Sequence, residues 1–359
     1  MSTITFMIGN GFDVACGLKS RYSDTYDGYT KTDSNSATID HFKKIIKQDI
    51  ETWADFEMQL AEYAHEFASE TELTDCISDY KEYLHMHLLQ EQQSFFEMDK
   101  GTEFIHSAVR KEMADSFCHF VKGLIPNDSQ EILSMLHDIP RYYQFISFNY
   151  TIVFDELMEQ SFAQGEVQSE FGARVAYKPV IHIHGTLNND MVLGLDDESQ
   201  FRDLPFSLSY RGKRNLIKPV FIDQYDKKRK TDALSCIQSS NVVCVYGMAL
   251  GDSDLTWRKI LANWIVENNR HHLVYYKHSL SCKQYPVTAS TRKMDDEEDY
   301  KDILITLLFG EDIASVEQIK KQIHIPTGID IFNIKETKTQ ARLEYLNKLK
   351  QEQKRPREN

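Results

Sequence analysis

Ile4-Thr5-Phe6-Met7-Ile8-Gly9-Asn10-Gly11-Phe12-Asp13 is the stretch on which the reading of the whole chain turns. A mostly apolar run of strand length meets a glycine-bounded turn, and a helix-compatible segment follows. A strand that ends in Gly-x-Gly and feeds a helix is the first half of a βα unit. Backbone amides at such a turn can cradle a diphosphate, because a helix N-terminus attracts negative charge. Gly9, Asn10, Gly11 and Phe12 are therefore candidate nucleotide-binding residues, and Asp13 is a candidate catalytic one. The dinucleotide fingerprint is only half present, since Val14 stands where its third glycine would be. A tight βα turn with Asp13 as a helix cap is the competing reading.

Working outward, residues 28–37 are rich in turn formers and read as a loop. From about 38 to 124 apolar residues recur at helical spacing, as in Ile39, Phe42, Ile46 and Ile50. Between residues 29 and 122 the one glycine is Gly101 and there is no proline, which predicts an insertion of three or four helices, ended by Pro126-Asn127-Asp128. Strands are then expected at 142–147, 180–184, 191–195, 241–246 and 272–276, with a last edge strand at 329–332. Helices are expected at 151–160, 214–240, 254–267 and 299–309. Asn241–Tyr246 has the unbroken β-branched content of a parallel strand covered on both faces. This alternation predicts an α/β fold: a Rossmann-like, mostly parallel sheet flanked by helices, with the helical insertion after the first βα unit. One domain is expected over 1–334, followed by a charged segment, 335–359, that reads as a frayed helix or tail.

The 359 residues carry a formal net charge of -14. That disfavours a general grip on nucleic acid, which depends on many Lys and Arg contacts to phosphate. No apolar run is long enough to span a membrane, and the N-terminus lacks the features of a signal peptide. The six cysteines are scattered without C-x-x-C, so reduced thiols in a cytoplasmic protein are expected, with no metal.

Three more strand ends carry chemistry. Ser147-Phe148-Asn149-Tyr150-Thr151 offers an amide that can hold a sugar hydroxyl or a water, or else a turn asparagine leading into an N-cap at Thr151. His182-Ile183-His184-Gly185 puts two histidines on one face of a strand, and His184, nearer the sheet edge, is the candidate general base. Tyr246-Gly247-Met248-Ala249-Leu250-Gly251-Asp252 is a glycine-bounded loop, in which Gly247, Gly251 and Asp252 are candidate nucleotide contacts. Asp252 or Ser253 would cap the helix that follows. Asp55 and Glu57 on the insertion are two apart and so do not share a helix face. Lys218 could meet a phosphate or simply be solvated. A nucleotide crevice at the carboxyl ends of the strands explains the four motifs with one assumption.

The ordered set I-G-N-G-F-D, W-A-D-F-E, F-N-Y-T, H-I-H-G, L-G-L-D and Y-G-M-A-L-G-D-S-D resembles the AbiH family of bacteriophage abortive-infection proteins, over about residues 4 to 275. That family is in turn similar to the sirtuin-like, DHS-like nucleotide-binding fold. The resemblance implies that Gly9, Asn10 and Gly11 hold the diphosphate of NAD, that Asn149 sits at the ribose, and that His184 is the catalytic base. It places Gly247 and Asp252 in the late nucleotide-side loop. Thr151 replaces the acid of the related N-Y-D segment, and the four-cysteine zinc module of the deacylases is absent. The implied activity is therefore cleavage of NAD itself, to nicotinamide and ADP-ribose. A phage-derived trigger or partner protein and a homo-oligomer built on the insertion are the partners expected. The alternatives are a nucleotide-binding sensor without turnover, and a nuclease with Asp13, Asp55, Glu57 and Asp252 around a magnesium ion.

Overall fold

A computed structural model describes residues 2–97, 103–136, 141–162, 166–168, 174–310 and 316–354. Its strands are Ser2–Ile8 (β1), Arg141–Ser147 (β2), Glu166–Gln168 (β3), Arg174–Tyr177 (β4), Ile181–His182 (β5), Val242–Tyr246 (β6), His272–Tyr276 (β7) and Ile323–His324 (β8). They form one sheet in the order β3-β4-β2-β1-β6-β7-β8, with β5 also paired to β2. Every pairing is parallel except β3 with β4. The mostly parallel, helix-flanked sheet is thus present. Because the chain leaves β1 toward β2 and later returns on the other flank to β6, the order reverses beside β1. A crevice opens outside the strand ends at such a point.

Alternation along β1 builds two cores. Ile4, Phe6 and Ile8 face one layer, where Phe6 meets Phe117 edge-on at 5.2 Å. Met7 faces the other, with Val243, Val245, Trp257 and Trp264. A third core belongs largely to the insertion, where the Phe56 and Tyr80 rings stack at 4.1 Å among Tyr26, Tyr29, Phe42 and Trp53. The insertion consists of helices Ala37–Gln48, Phe56–Tyr63, Glu70–Glu97 and Glu103–Cys118. Residues 98–102 of it lie outside the described residues.

Several local expectations change. Pro126 does not end a helical region but opens the helix Pro126–Leu136, where a proline at the first position loses no hydrogen bond. Residues 329–332 are not a strand; Phe332 lies buried at φ 58° with its ring against Phe12 and Tyr246. The edge strand is β8 instead. Residues 191–195 form no strand either, only a single bridge from Leu195 to Ile217. The C-terminal segment is a helix, Ile334–Lys354, whose Ile334 and Ala341 are buried. Residues 355–359 lie outside the described residues. Among the described residues no helix is long and apolar enough to cross a membrane.

Candidate active site

The glycines of the first turn serve the backbone. Gly9 N–H donates to the Tyr246 carbonyl at 2.8 Å and Gly11 N–H to the Gly247 carbonyl at 2.9 Å, so the β1 and β6 turns lie against each other. A Cβ on Gly11 would press into the Gly247 backbone, and one on Gly247, at φ +72°, would stand 2.8 Å from Gly11 Cα. These two amides are therefore already hydrogen-bonded within the protein, and the helix that follows, Gly11–Cys16, has six residues. Asn10 is also engaged, its side chain accepting from Ser20 Oγ at 2.6 Å and donating to the Ser20 carbonyl at 3.1 Å. Phe12 points away from the crevice into the core, edge-on to Phe154. Gly11→Ala should destabilise the chain by about 1–3 kcal/mol, the range for overpacking a close contact. A urea midpoint equal to that of wild type would show that the two turns have room to part.

The close approach of these turns places Asp13 under the crevice. Its carboxylate is 2% exposed and accepts from Asn149 Nδ2 at 3.0 Å and from Thr151 Oγ1 at 2.8 Å. Thr151 therefore binds Asp13 across the β1 and β2 turns rather than capping the helix Val153–Ser161. Burial pushes the Asp13 carboxyl up to about 7, against the pull of those two hydrogen bonds. Asn149 is also buried, and among the described residues its Oδ1 has no hydrogen-bond partner. A buried acceptor left open at a cavity wall favours a ligand group or a water that donates to it.

The cavity above these groups measures about 490 Å³, within the range of small-molecule sites. Gly9, Asn10, Asp13, Asn149, His184 and Gly247 line it, so the four strand-end motifs do meet. Gly251 and Asp252 do not line it: Asp252 turns outward to Arg258 at 3.1 Å, and Ser253 and Asp254 take its place. Neither Asp252 nor Ser253 caps the next helix. Asp196, from L-G-L-D, does so from outside, accepting from Thr256 N–H at 2.8 Å.

The two histidines part company because β5 stops at His182. His182 reaches the helix Val153–Ser161, with Nε2 2.9 Å from Asp155 and Nδ1 3.1 Å from the Asn149 carbonyl. Burial would lower its pKa, but the Asp155 carboxylate outweighs this and raises it. His184 sits in the turn that follows and lines the cavity, edge-on to Phe148 at 5.5 Å. Burial, with Lys218 and Arg229 nearby, drives its pKa well below the ordinary 6.5. At neutral pH it is an uncharged imidazole that resists protonation.

The insertion supplies the facing wall through Asp55, Glu57, Leu84 and Leu88. Asp55 and Glu57 both line the cavity, contrary to the helix-face argument, because Asp55 is the extended N-cap and lies outside the helix. Lys218 is buried rather than solvated. Its Nζ lies 2.7 Å from Glu57 Oε2, 3.0 Å from the Ser253 carbonyl and 3.8 Å from Asp196. Burial would depress its pKa, but Glu57, Asp196 and Asp254 outweigh it, so the ammonium stays charged. Glu57 Oε1 also accepts from Gly194 N–H at 3.1 Å. Sequence spacing could not find this cation, whose carboxylate partner is 161 positions away.

A family model described as bacteriophage abortive infection AbiH matches residues 5–276 of the chain. No curated protein matches it.

Proposed function

The chain belongs to the AbiH family of bacteriophage abortive-infection proteins, and from that premise we propose that it defends its host by hydrolysing NAD⁺ or a closely related nucleotide in this cavity. The observation that carries the reading is Asp13, a carboxyl group buried at the strand ends on the cavity wall and oriented by Asn149 and Thr151, with burial pushing its pKa up to about 7. In the reaction, the bond between ribose C1′ and the nicotinamide nitrogen breaks, and its electron pair leaves with the base. Water adds to C1′ as its proton passes to ionised Asp13 and then to solvent, giving nicotinamide and ADP-ribose. A general base working near its own pKa contributes roughly 10²–10⁴-fold. Asn149 Oδ1, unpartnered among the described residues, accepts from the water or a ribose hydroxyl. Neutral His184 accepts a second hydroxyl, a role its depressed pKa suits better than that of proton acceptor. The acidic walls suit a cationic nicotinamide-ribose and the positive charge that develops at C1′.

The carboxylates Glu57 and Asp196 already enclose the Lys218 ammonium, which disfavours the reading of the acidic wall as a magnesium site. The test is incubation of the purified chain with NAD⁺, with and without extract of phage-infected cells, followed by chromatography of nicotinamide and ADP-ribose. Nicotinamide release is expected from wild type, and roughly 10–10²-fold less from His184→Ala, the loss of one hydrogen bond to the reacting sugar. Absence of both NAD⁺ binding and release by wild type in either condition would sink the proposal.

A further inference from the structure

Away from the cavity, the four-residue helix His278–Ser281 follows β7, and a loop between β8 and the C-terminal helix passes over it. His278 and Cys282 stand one turn apart, and Asp330 reaches them from that loop. We propose that His278, Cys282 and Asp330 form a binding site for a tetrahedral divalent metal ion of the zinc class, with its fourth position open to water.

The argument is the shape of the triangle. His278 Nδ1 lies 3.4 Å from Asp330 Oδ2, Cys282 Sγ lies 3.4 Å from the same Nδ1, and Sγ lies 3.3 Å from the same Oδ2. Zinc bonds of about 2.0–2.3 Å at tetrahedral angles put the ligand atoms about 3.3–3.6 Å apart. All three edges thus have the length of a coordination edge, and each residue presents one atom to both others. A nucleophile–base–acid relay has a different shape, since it uses the two nitrogens of the imidazole for its two partners. Hydrogen bonds can be drawn along all three edges, Sγ to Nδ1 included; an ion at the centre accounts for the three near-equal lengths at once.

The surroundings support the donor set. Asp330 Oδ1 accepts from Ile331 N–H at 2.9 Å, which fixes the carboxylate with Oδ2 turned to the histidine and the thiol. Such outer contacts hold metal ligands in place. Gly328 N–H donates to the Leu280 carbonyl at 2.9 Å, so loop and helix are already joined before any ion enters. The His278 side chain is 84% exposed, which gives an ion an entry path. A thiolate, an imidazole and a carboxylate select zinc, or cobalt(II) as its spectroscopic substitute, over magnesium or calcium. When the ion binds, the Cys282 thiol gives its proton to solvent and sulfur supplies the electron pair to the metal. The site would tie the end of β7 to the base of the C-terminal helix.

The test is titration of the full, chelator-treated chain with cobalt(II), read as the thiolate-to-cobalt charge-transfer absorption, with zinc as competitor. The expected result is saturation at one equivalent, bleaching by zinc, and loss of the band in Cys282→Ser. His278→Ala, on an exposed side chain that the fold does not need, should weaken binding by at least the roughly 10–10²-fold lost when even a supporting group goes. Wild type that shows no band, or a band that survives Cys282→Ser, would overturn the site. Neither result bears on NAD⁺ turnover, because none of the three residues lines the cavity.

Discussion

Lys218→Met is expected to lower the unfolding free energy by roughly 3–5 kcal/mol, the cost of stranding a buried charge by removing its partner. The ammonium is 2% exposed and holds Glu57 of the insertion, the Ser253 carbonyl of the β6 turn and Asp196 together. Methionine fills the space of the stem but leaves the Glu57 carboxylate enclosed without a cation. Adding Glu57→Gln should restore much of the loss, since a neutral amide can still accept from Gly194 N–H. Urea denaturation at neutral pH reads all three proteins. A single-mutant loss below about 1 kcal/mol, the range of exposed pairs, would mean that water reaches the pair.

Asp13→Asn should cut kcat/KM for NAD⁺ by roughly 10²–10⁴-fold while the chain stays folded. The amide is isosteric and can still accept from Asn149, but it takes no proton. For wild type the sign of the pH dependence follows from which form works. In the proposed hydrolysis the base works ionised, so kcat/KM is expected to rise with pH and level off above about 7. Stability moves the other way. An unfolded Asp13 ionises near 3.8 and the folded one near 7, so within that window the unfolded state holds fewer protons. Folding therefore weakens as pH rises from about 4 to 7, and the asparagine variant is relieved of that loss. At pH 8 it should be the more stable and the less active protein, a trade common at active sites. A variant that keeps wild-type turnover, or a wild-type profile that falls with pH, would remove Asp13 from the role of base.

The parts of the fold legible in sequence were those written locally. β1, β6 and β7 announce themselves as apolar runs, and the insertion by its helical period. β8 and β5 are two residues each, too short for any period to register. Pro126 misled because the same residue that stops one helix can start another. In the site, the grouping of Gly9, Asp13, Asn149, His184 and Gly247 around one cavity followed from the rule about the carboxyl ends of parallel strands. What filled the opposite wall did not. Asp55 and Glu57 meet Lys218 and Asp254 only through packing between segments more than 100 residues apart, and local pattern carries no trace of it. The two glycines at the end of the first strand illustrate the same limit. Their spacing suggests a ligand, whereas their neighbours show two backbones in contact.

The aromatic core of the insertion and the two cores of the sheet are packed separately, and the cavity lies on the boundary between them. The insertion and the β6 turn thus meet across the cavity that Asp13 lines. Parting the Asp55–Glu57 segment from the β6 turn breaks the Lys218 contacts and the Ser253–Asp55 hydrogen bond while Phe117 of the insertion stays in the sheet core, so it costs less than unfolding. If only a fraction of molecules stands open, the apparent affinity for nucleotide is diminished by that fraction. A partner that merely favours the open form would then raise occupancy of the site without touching the nucleotide, and would itself bind more tightly once the nucleotide is in place.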